Sequence, residues 1–379
     1  MKLFGWFEKR NAVATSGNYD VFTNSTLVSN YASEMVNADT ALQVPPYASA
    51  VNLLSTSIAK LSRHVYRDGE RIKGHNIEKL LRNPNELMDG YTLFQQAEMN
   101  RLQEGNCYIN IQRNAQEIAV RLVLINPAFV SIAIEGDSYT YIVTMNGVTT
   151  KVRPIDMIHV RGNVHDHLKG RGMPTILKEQ LGLWLAAQKH QAIYFALGGN
   201  PTSILSTDEK LSEEKRTLVR EAWERLNGNA NRHRVAVIDG GFRYNSLAHN
   251  WQELEMNALY DQLTKQIASA FNLPGFMIGQ DGNKNTYANV ESQSMQFLQQ
   301  ALMPSLVAWE YQLQKILGYH SEFYIRHNYE SLLRADSKTR AERIKTLIDA
   351  EVLTVEEGRE YEGLPKTSPS KVKHDKEAM

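Results

Sequence analysis

The sequence predicts an α+β chain in which an antiparallel β-meander is set inside long helices. Three observations carry that prediction. Between Cys107 and Arg161 the apolar residues fall at every second position, the period of half-buried strands. C-terminal to this stretch, apolar residues recur at spacings of three and four over 176–198, 251–272 and 289–317, the period of helices that bury one face. Between the first two of these helices lies a compact insert that reads strand–helix–strand.

Composition bounds the function. A chain of 379 residues holds two or three domains, or one domain with appendages. Lys+Arg and Asp+Glu both number 42, so the formal charge is zero. That argues against a dedicated tight nucleic-acid binder, which carries a basic surplus, but not against a protein that touches DNA without gripping it. The single cysteine, Cys107, rules out an internal disulfide framework and fits a reducing compartment. The apolar patch in the opening MKLFGWFEKR is too short for a signal peptide and lacks a small-residue cleavage site.

The elements follow in order. Residues 1–45 are polar and read as an arm that orders on a partner. Helical patterns cover 46–62 and 91–103, with Asn83-Pro84-Asn85 as a turn between them. Five runs then read as strands: CYINIQR, IAVRLVLI, AFVSIAI, YTYIVTM and MIHVR. Their turns lie at Asn114 to Glu117, Glu135-Gly136-Asp137 and Asn146-Gly147, the last a strong hairpin signal because both residues tolerate positive φ. After a Gly-rich break at 168–175 comes an apolar helix at 176–198. Gln188, Lys189, His190 and Gln191 interrupt it at mid-length, so it reads as a packed or inter-subunit helix and not a membrane span.

In the insert, a strand SILST precedes a helix capped by Ser212, with Glu213 and Glu214 in its first turn. That helix is expected to bury Leu218, Val219, Ala222, Trp223 and Leu226, and two strands, RVAVID and FRYNSL, follow it. The helix at 251–272 carries the stripe Trp251, Leu254, Ala258, Leu259, Leu263, Ile267, Phe271 and ends at Pro274-Gly275. A polar Gly- and Asn-rich loop follows, and then a helix over 289–317 that Pro304 should kink. Two short helices occupy 337–364, the second opening on the capping box Thr354 and Glu357. The tail reads as disordered.

No catalytic constellation emerges. His159, His165, Asp166 and His167 gather possible metal ligands, but no second cluster lies nearby in sequence, and His159 is expected to face out of the sheet. No metal or cofactor is therefore assigned. Cys107 reads as a small apolar residue opening a buried strand. There is no phosphate loop, and Gly170-Arg171-Gly172 lacks the third glycine and preceding strand of a dinucleotide turn. The carboxylates fall on helix faces as solvated charge, which argues against an enzyme.

The order of parts resembles the portal proteins of tailed bacteriophages, in particular those of long-tailed phages and prophages. Six stretches carry the resemblance: LLRNPNELMDGYTLFQQ, LQEGNCYINIQRN, PIDMIHVRG, GGNPTSILS, the pair IASAFNLPGFMIG and YANVESQSMQFLQQALMP, and LTVEEGREYEGLP. The resemblance covers roughly 46–365, and the order and spacing of the stretches are more specific than any one of them. At 170–174 the family often has a Ser before the Pro, where this chain has Gly-Arg-Gly-Met-Pro.

The resemblance implies a cyclic ring, usually a dodecamer, at one capsid vertex, through which double-stranded DNA is packaged and later ejected. It implies an N-terminal arm (1–45), a wing (46–175), a first stem helix (176–200), a clip (201–247) and a second stem helix (248–275). A tunnel loop (276–290), a long kinked helix of the wing (291–317), a crown (318–365) and a tail (366–379) follow. On this division Trp184, Leu185, Tyr194, Trp251, Leu259, Leu263 and Ile267 pack the stem. Arg216, Arg220, Glu221, Glu224 and Arg225 form a docking face on the clip. Gln280, Asp281, Asn283, Lys284, Asn285, Thr286 and Tyr287 line the channel. The implied partners are other copies of the chain, the DNA, the large terminase subunit, a head–tail adaptor, and the major capsid and scaffolding proteins. The implied location is the virion vertex, with assembly in the host cytoplasm and no membrane. Another virion protein, such as a head–tail adaptor, is the alternative; the insert between two long helices and the chain length favour the portal, and a metal-dependent hydrolase is a distant third.

Overall fold

Alternating apolar residues pull segments into sheets and 3.6-period stripes pull others into helices, and the computed structural model shows where these meet. It describes residues 21–22, 30–136, 138–164, 167–196, 203–207, 211–227, 243–246, 256–279, 295–318, 321–329 and 337–361. In chain order the elements are β1 (21–22), α1 (38–41), α2 (45–59), β2 (63–67), β3 (70–71), α3 (76–82), α4 (90–104), β4 (106–113), β5 (119–125), β6 (130–135), β7 (138–145), β8 (148–152), β9 (157–161), β10 (163–164), β11 (170–171), α5 (173–176), α6 (178–196), β12 (203–206), α7 (213–227), β13 (243–246), α8 (256–270), α9 (303–317), β14 (323–327), α10 (337–349) and α11 (355–361).

The expected single meander is two sheets. One has the order β5-β4-β9, the other β1-β6-β7-β8, all antiparallel. Two proline turns divide them. At Asn126-Pro127 the Asn126 side chain accepts from Ala128 N at 2.9 Å, and at Arg153-Pro154 a second 3-10 turn returns the chain to β9. Tyr108, Ile125, Val130, Ile132, Tyr141, Val143 and Met157 fill the space between the sheets. The Asn146-Gly147 hairpin is present, with φ of 51° and 77° at its two corners.

His159 does not face outward. It is buried, and its ring stacks on Tyr108 at 4.4 Å. Asn106 Oδ1 accepts from Gly170 N, so it also accepts from His159 Nε2 at 3.0 Å; Nδ1 is then free to accept from the Tyr141 hydroxyl, again at 3.0 Å. Burial, aided by the charges of Arg161, Lys315 and Lys169, pushes this imidazole down to about 3. The unfolded chain therefore binds the proton more readily than the folded one. The stability this neutral ring contributes is complete above the ordinary value of 6.5 and is lost as the pH falls toward 3. The urea midpoint should drop between pH 7 and 5, and His159→Gln should flatten that drop relative to the parent. Parallel profiles for the two proteins would contradict the assignment.

The larger core joins α2, α4, α8 and α9 through Tyr47, Val51 and Ile58, Leu93 and Phe94, Ile267 and Phe271, and Leu306, Trp309 and Leu313. A three-stranded sheet, β14-β2-β3, flanks it; β14 pairs with β2 along all five residues, from Phe323↔Arg67 to His327↔Arg63. The segment expected to open the crown thus begins by pairing with a strand near the N-terminal end. Gly105 ends α4 at φ +78°, where the backbone of 170–172 crosses so closely that a Cβ would lie 2.5 Å from Arg171 C. Pro304 has no N–H for the carbonyl of Gln300, and a π turn at Phe297–Leu302 carries the helix past that gap into α9. The capping box of α11 forms: Thr354 N donates to Glu357 Oε2 at 2.8 Å, and Glu357 N donates to Thr354 Oγ1 at 3.2 Å. No described helix is long and apolar enough to cross a membrane.

Candidate functional site

The candidate site is the pair of long helices that leaves the core, together with the segments attached to their ends. Helix α6 is buried at Leu181, Gly182 and Ala187, while beyond Ala187 its residues are exposed or at most half-buried. Helix α8 mirrors this, being mostly exposed over 256–262 and buried at Leu263, Thr264, Ile267 and Ala268. One end of the pair is therefore rooted in the core while the other stands clear of it.

At the root, Gly182 leaves room for the Asn30 side chain, whose Nδ2 a Cβ would meet at 2.0 Å. Tyr31 N donates to Glu179 Oε2 at 3.0 Å, and Lys189 Nζ lies 3.0 Å from Glu34 Oε1. The C-terminal part of the expected arm, residues 30–44, is thus laid against α6 and buries Val36, Ala41 and Val44. Across the pair, the Trp184 and Tyr260 rings meet at 4.6 Å, and the Tyr260 hydroxyl donates to Gln191 Oε1 at 2.9 Å. Lys189 and Gln191, two of the polar residues that interrupt α6, therefore have definite partners.

Of the residues expected to pack the stem, Trp184 and Leu185 lie half-buried against the core, Leu263 and Ile267 are buried, and Leu259 and Tyr194 are half-buried. Trp251 lies outside the described residues. Tyr260 was missed because it sits one position off the apolar stripe; a hydroxyl opposite Gln191 leaves no periodic signal. Elsewhere on α6, Leu183, Ile193 and Phe195 are 42%, 53% and 69% exposed, apolar side chains that one copy of the chain leaves open.

Between α6 and α8 in sequence sits the insert. β12 and β13 pair antiparallel, from Ser203↔Ser246 to Ser206↔Arg243. Helix α7 begins at the Ser212 cap, whose Oγ accepts from Lys215 N at 3.4 Å. Arg216, Arg220 and Glu221 are exposed, as the charged face requires; Glu224 and Arg225 are described only as positions on the helix. Leu218 is 61% exposed, contrary to the expectation that α7 buries it, because no described element covers that flank of the helix. Val219 is half-buried.

After α8 the chain turns at Asn272 (φ 55°), where Leu273 N donates to Ala268 O at 2.9 Å, and reaches Gly279 at φ +94°. Gln280, Asp281, Asn283, Lys284, Asn285, Thr286 and Tyr287 lie outside the described residues. The residues that bracket them are firmly placed: Ile278 and Leu298 are 4% and 5% exposed and belong to the same core. Among the described residues no group of three His, Cys, Asp or Glu side chains is arranged to hold a metal; His165 and Asp166 are outside them.

Comparison with known proteins points one way. The family model described as phage portal protein matches residues 45–363. The portal protein of Enterobacteria phage HK97 is 25% identical over 343 residues, covering 87% of this chain and 81% of its own. The probable portal protein of Streptomyces phage phiC31 is 25% identical over 360 residues, covering 87% and 77%. Among solved structures, the neck of an empty gene transfer agent particle computed with C6 symmetry has a TM-score of 0.61 at 18% identity, covering 87% of this chain and 94% of that one. A portal protein of the HK97 family from Corynebacterium diphtheriae has a TM-score of 0.58 at 17% identity, covering 82% and 99%.

Proposed function

The chain belongs to the phage portal protein family, and from that premise we propose that copies of it close into a ring whose axis is the passage for double-stranded DNA at one capsid vertex. The observation that carries this reading is the α6/α8 pair, rooted in the core and exposing Leu183, Ile193 and Phe195. Exposed apolar side chains spread round a helix in this way need cover, and neighbouring copies related by rotation supply it; heterologous contacts of that type close into rings. The symmetric particle necks among the structural relatives support the same arrangement. A dodecamer is the copy number that the family suggests.

In this reading α6 and α8 are the stem, 201–247 the clip and 276–290 the tunnel loop. The loop composition suits a sliding contact. Over 279–287 Asp281 offsets Lys284, and the rest is Gly, Asn, Gln, Thr and Tyr, so the ring does not multiply a phosphate-gripping cation into a salt-dependent trap. The clip carries the docking face for the large terminase subunit and for a head–tail adaptor, while capsid and scaffolding proteins meet the ring elsewhere. The protein is structural, and its place is the virion vertex.

Reversal of Arg216 and Arg220 to Glu tests the clip. Both side chains are exposed, so ring assembly should be unchanged while packaging or tail joining fails in an infectivity assay. Wild-type infectivity would remove the docking role from this face. For the ring itself, sedimentation of the purified protein should show one large species, and monomer at every concentration would refute it.

A further inference from the structure

We propose that a cavity between the α2–β2 connection, the start of β2, α3 and the start of α4, away from the stem and clip, binds an acidic peptide segment of a partner protein through a carboxylate flanked by apolar side chains. The cavity holds about 320 Å³ and opens where the chain leaves α2 and where α3 turns into α4. Three cations line it, Lys60, Arg63 and Arg82, and among the described residues none of them is in an ion pair.

The two carboxylates that line the cavity are already engaged. Glu78 Oε1 lies 3.2 Å from His64 Nδ1 and 3.6 Å from Arg71 Nε, and it accepts from Val65 N at 3.3 Å. Asp89 caps α4, its Oδ1 accepting from Thr92 N at 2.7 Å. Arg63 lies 3.4 Å over the Phe94 ring and donates through Nη2 to Ile58 O at 2.9 Å, but its buried Nε has no partner. Burial without a counter-charge pulls the Arg63 guanidinium down to about 9. An oxyanion entering the cavity would supply the missing charge.

The surroundings select the kind of anion. Tyr91, which lines the cavity from the first turn of α4, is 45% exposed, and Leu87, four residues earlier on the α3–α4 connection, is 67% exposed. Apolar side chains next to an oxyanion site suit a peptide in which an acidic residue neighbours an aliphatic or aromatic one. A nucleic-acid backbone calls instead for a row of cations that tracks successive phosphates. Here three cations against two carboxylates leave a formal +1 in one partly open hollow, enough for a single carboxylate with its neighbours.

The test uses the full chain and a rhodamine-labelled peptide, Glu-Glu-Leu-Phe-Glu-Glu, read by fluorescence anisotropy. Saturable binding is expected. Lys60→Glu combined with Arg82→Glu, both on exposed side chains, should weaken it about tenfold or more. Lys345→Glu, the same change of charge sign on α10, should leave it unaltered. The proposal is overturned if the peptide does not saturate the wild-type protein or binds the double variant equally well. It is likewise overturned if a short duplex oligonucleotide displaces the peptide at lower concentration than unlabelled peptide does, which would make this a nucleic-acid contact.

Discussion

Replacing Arg101 with alanine is expected to destabilise the protein by about 3–5 kcal/mol, the typical cost of stripping one partner from a buried ion pair. Glu98 is fully buried in the middle of the core. Arg101 grips it with two donors, Nε at 2.8 Å and Nη2 at 2.5 Å, and also reaches Ser305 Oγ at 2.7 Å. Trp309 Nε1 supplies the remaining bond to the carboxylate at 2.8 Å. Without the guanidinium, a buried negative charge keeps one neutral donor, Trp309 Nε1, and the Arg101–Ser305 bond between α4 and α9 is lost. Changing both partners, Glu98→Gln with Arg101→Met, removes the two charges together and should cost far less. Urea unfolding at fixed protein concentration measures this, the concentration being held because assembly adds its own stability. A loss below about 1 kcal/mol for Arg101→Ala would mean that the pair contributes no more than a surface contact.

The second large effect concerns assembly. Leu183→Lys with Ile193→Lys should dissociate the ring while leaving each subunit folded. Both side chains are exposed in the single chain, so the fold loses little. In the ring they would be covered, and each buried aliphatic side chain stabilises the contact by about 1.5–3 kcal/mol. Losing two weakens every interface by roughly 3 kcal/mol or more, about 150-fold, before the cost of burying two ammonium groups is added. Sedimentation velocity should show monomer with an unchanged circular-dichroism spectrum. A ring that forms as before would place the subunit contact elsewhere.

Much of this architecture is legible in the sequence because it is local. The Asn146-Gly147 hairpin, the Ser212 and Thr354 caps, and the stripe Leu259, Leu263, Ile267 each depend on residues a few positions apart. What escaped is non-local. Arg63-His64-Val65-Tyr66-Arg67 becomes a strand only because Phe323–His327 arrives beside it, and two adjacent apolar residues, Val65 and Tyr66, give no alternation to read. The split of the meander into two sheets rests on proline turns whose direction a period of two does not encode. His159 was assigned to an outer face by alternation, yet Met157 through Val160 are all buried, so alternation carries no information there. Leu218 shows the opposite limit: a helical stripe says that a face wants cover, not that the same chain provides it. For the candidate site, the burial of Leu263 and Ile267 followed from their stripe, while the polar loop after α8 lies outside the described residues. Tyr260, which ties α8 to α6, gives no periodic signal at all.

Electron microscopy of the purified full-length protein in negative stain tests the central claim most directly. The account predicts uniform rings with a stain-filled axial channel, and averaged end-on views should show cyclic symmetry. Compact particles without an axial hole, or open filaments in which the rotation between neighbours does not close, would contradict it.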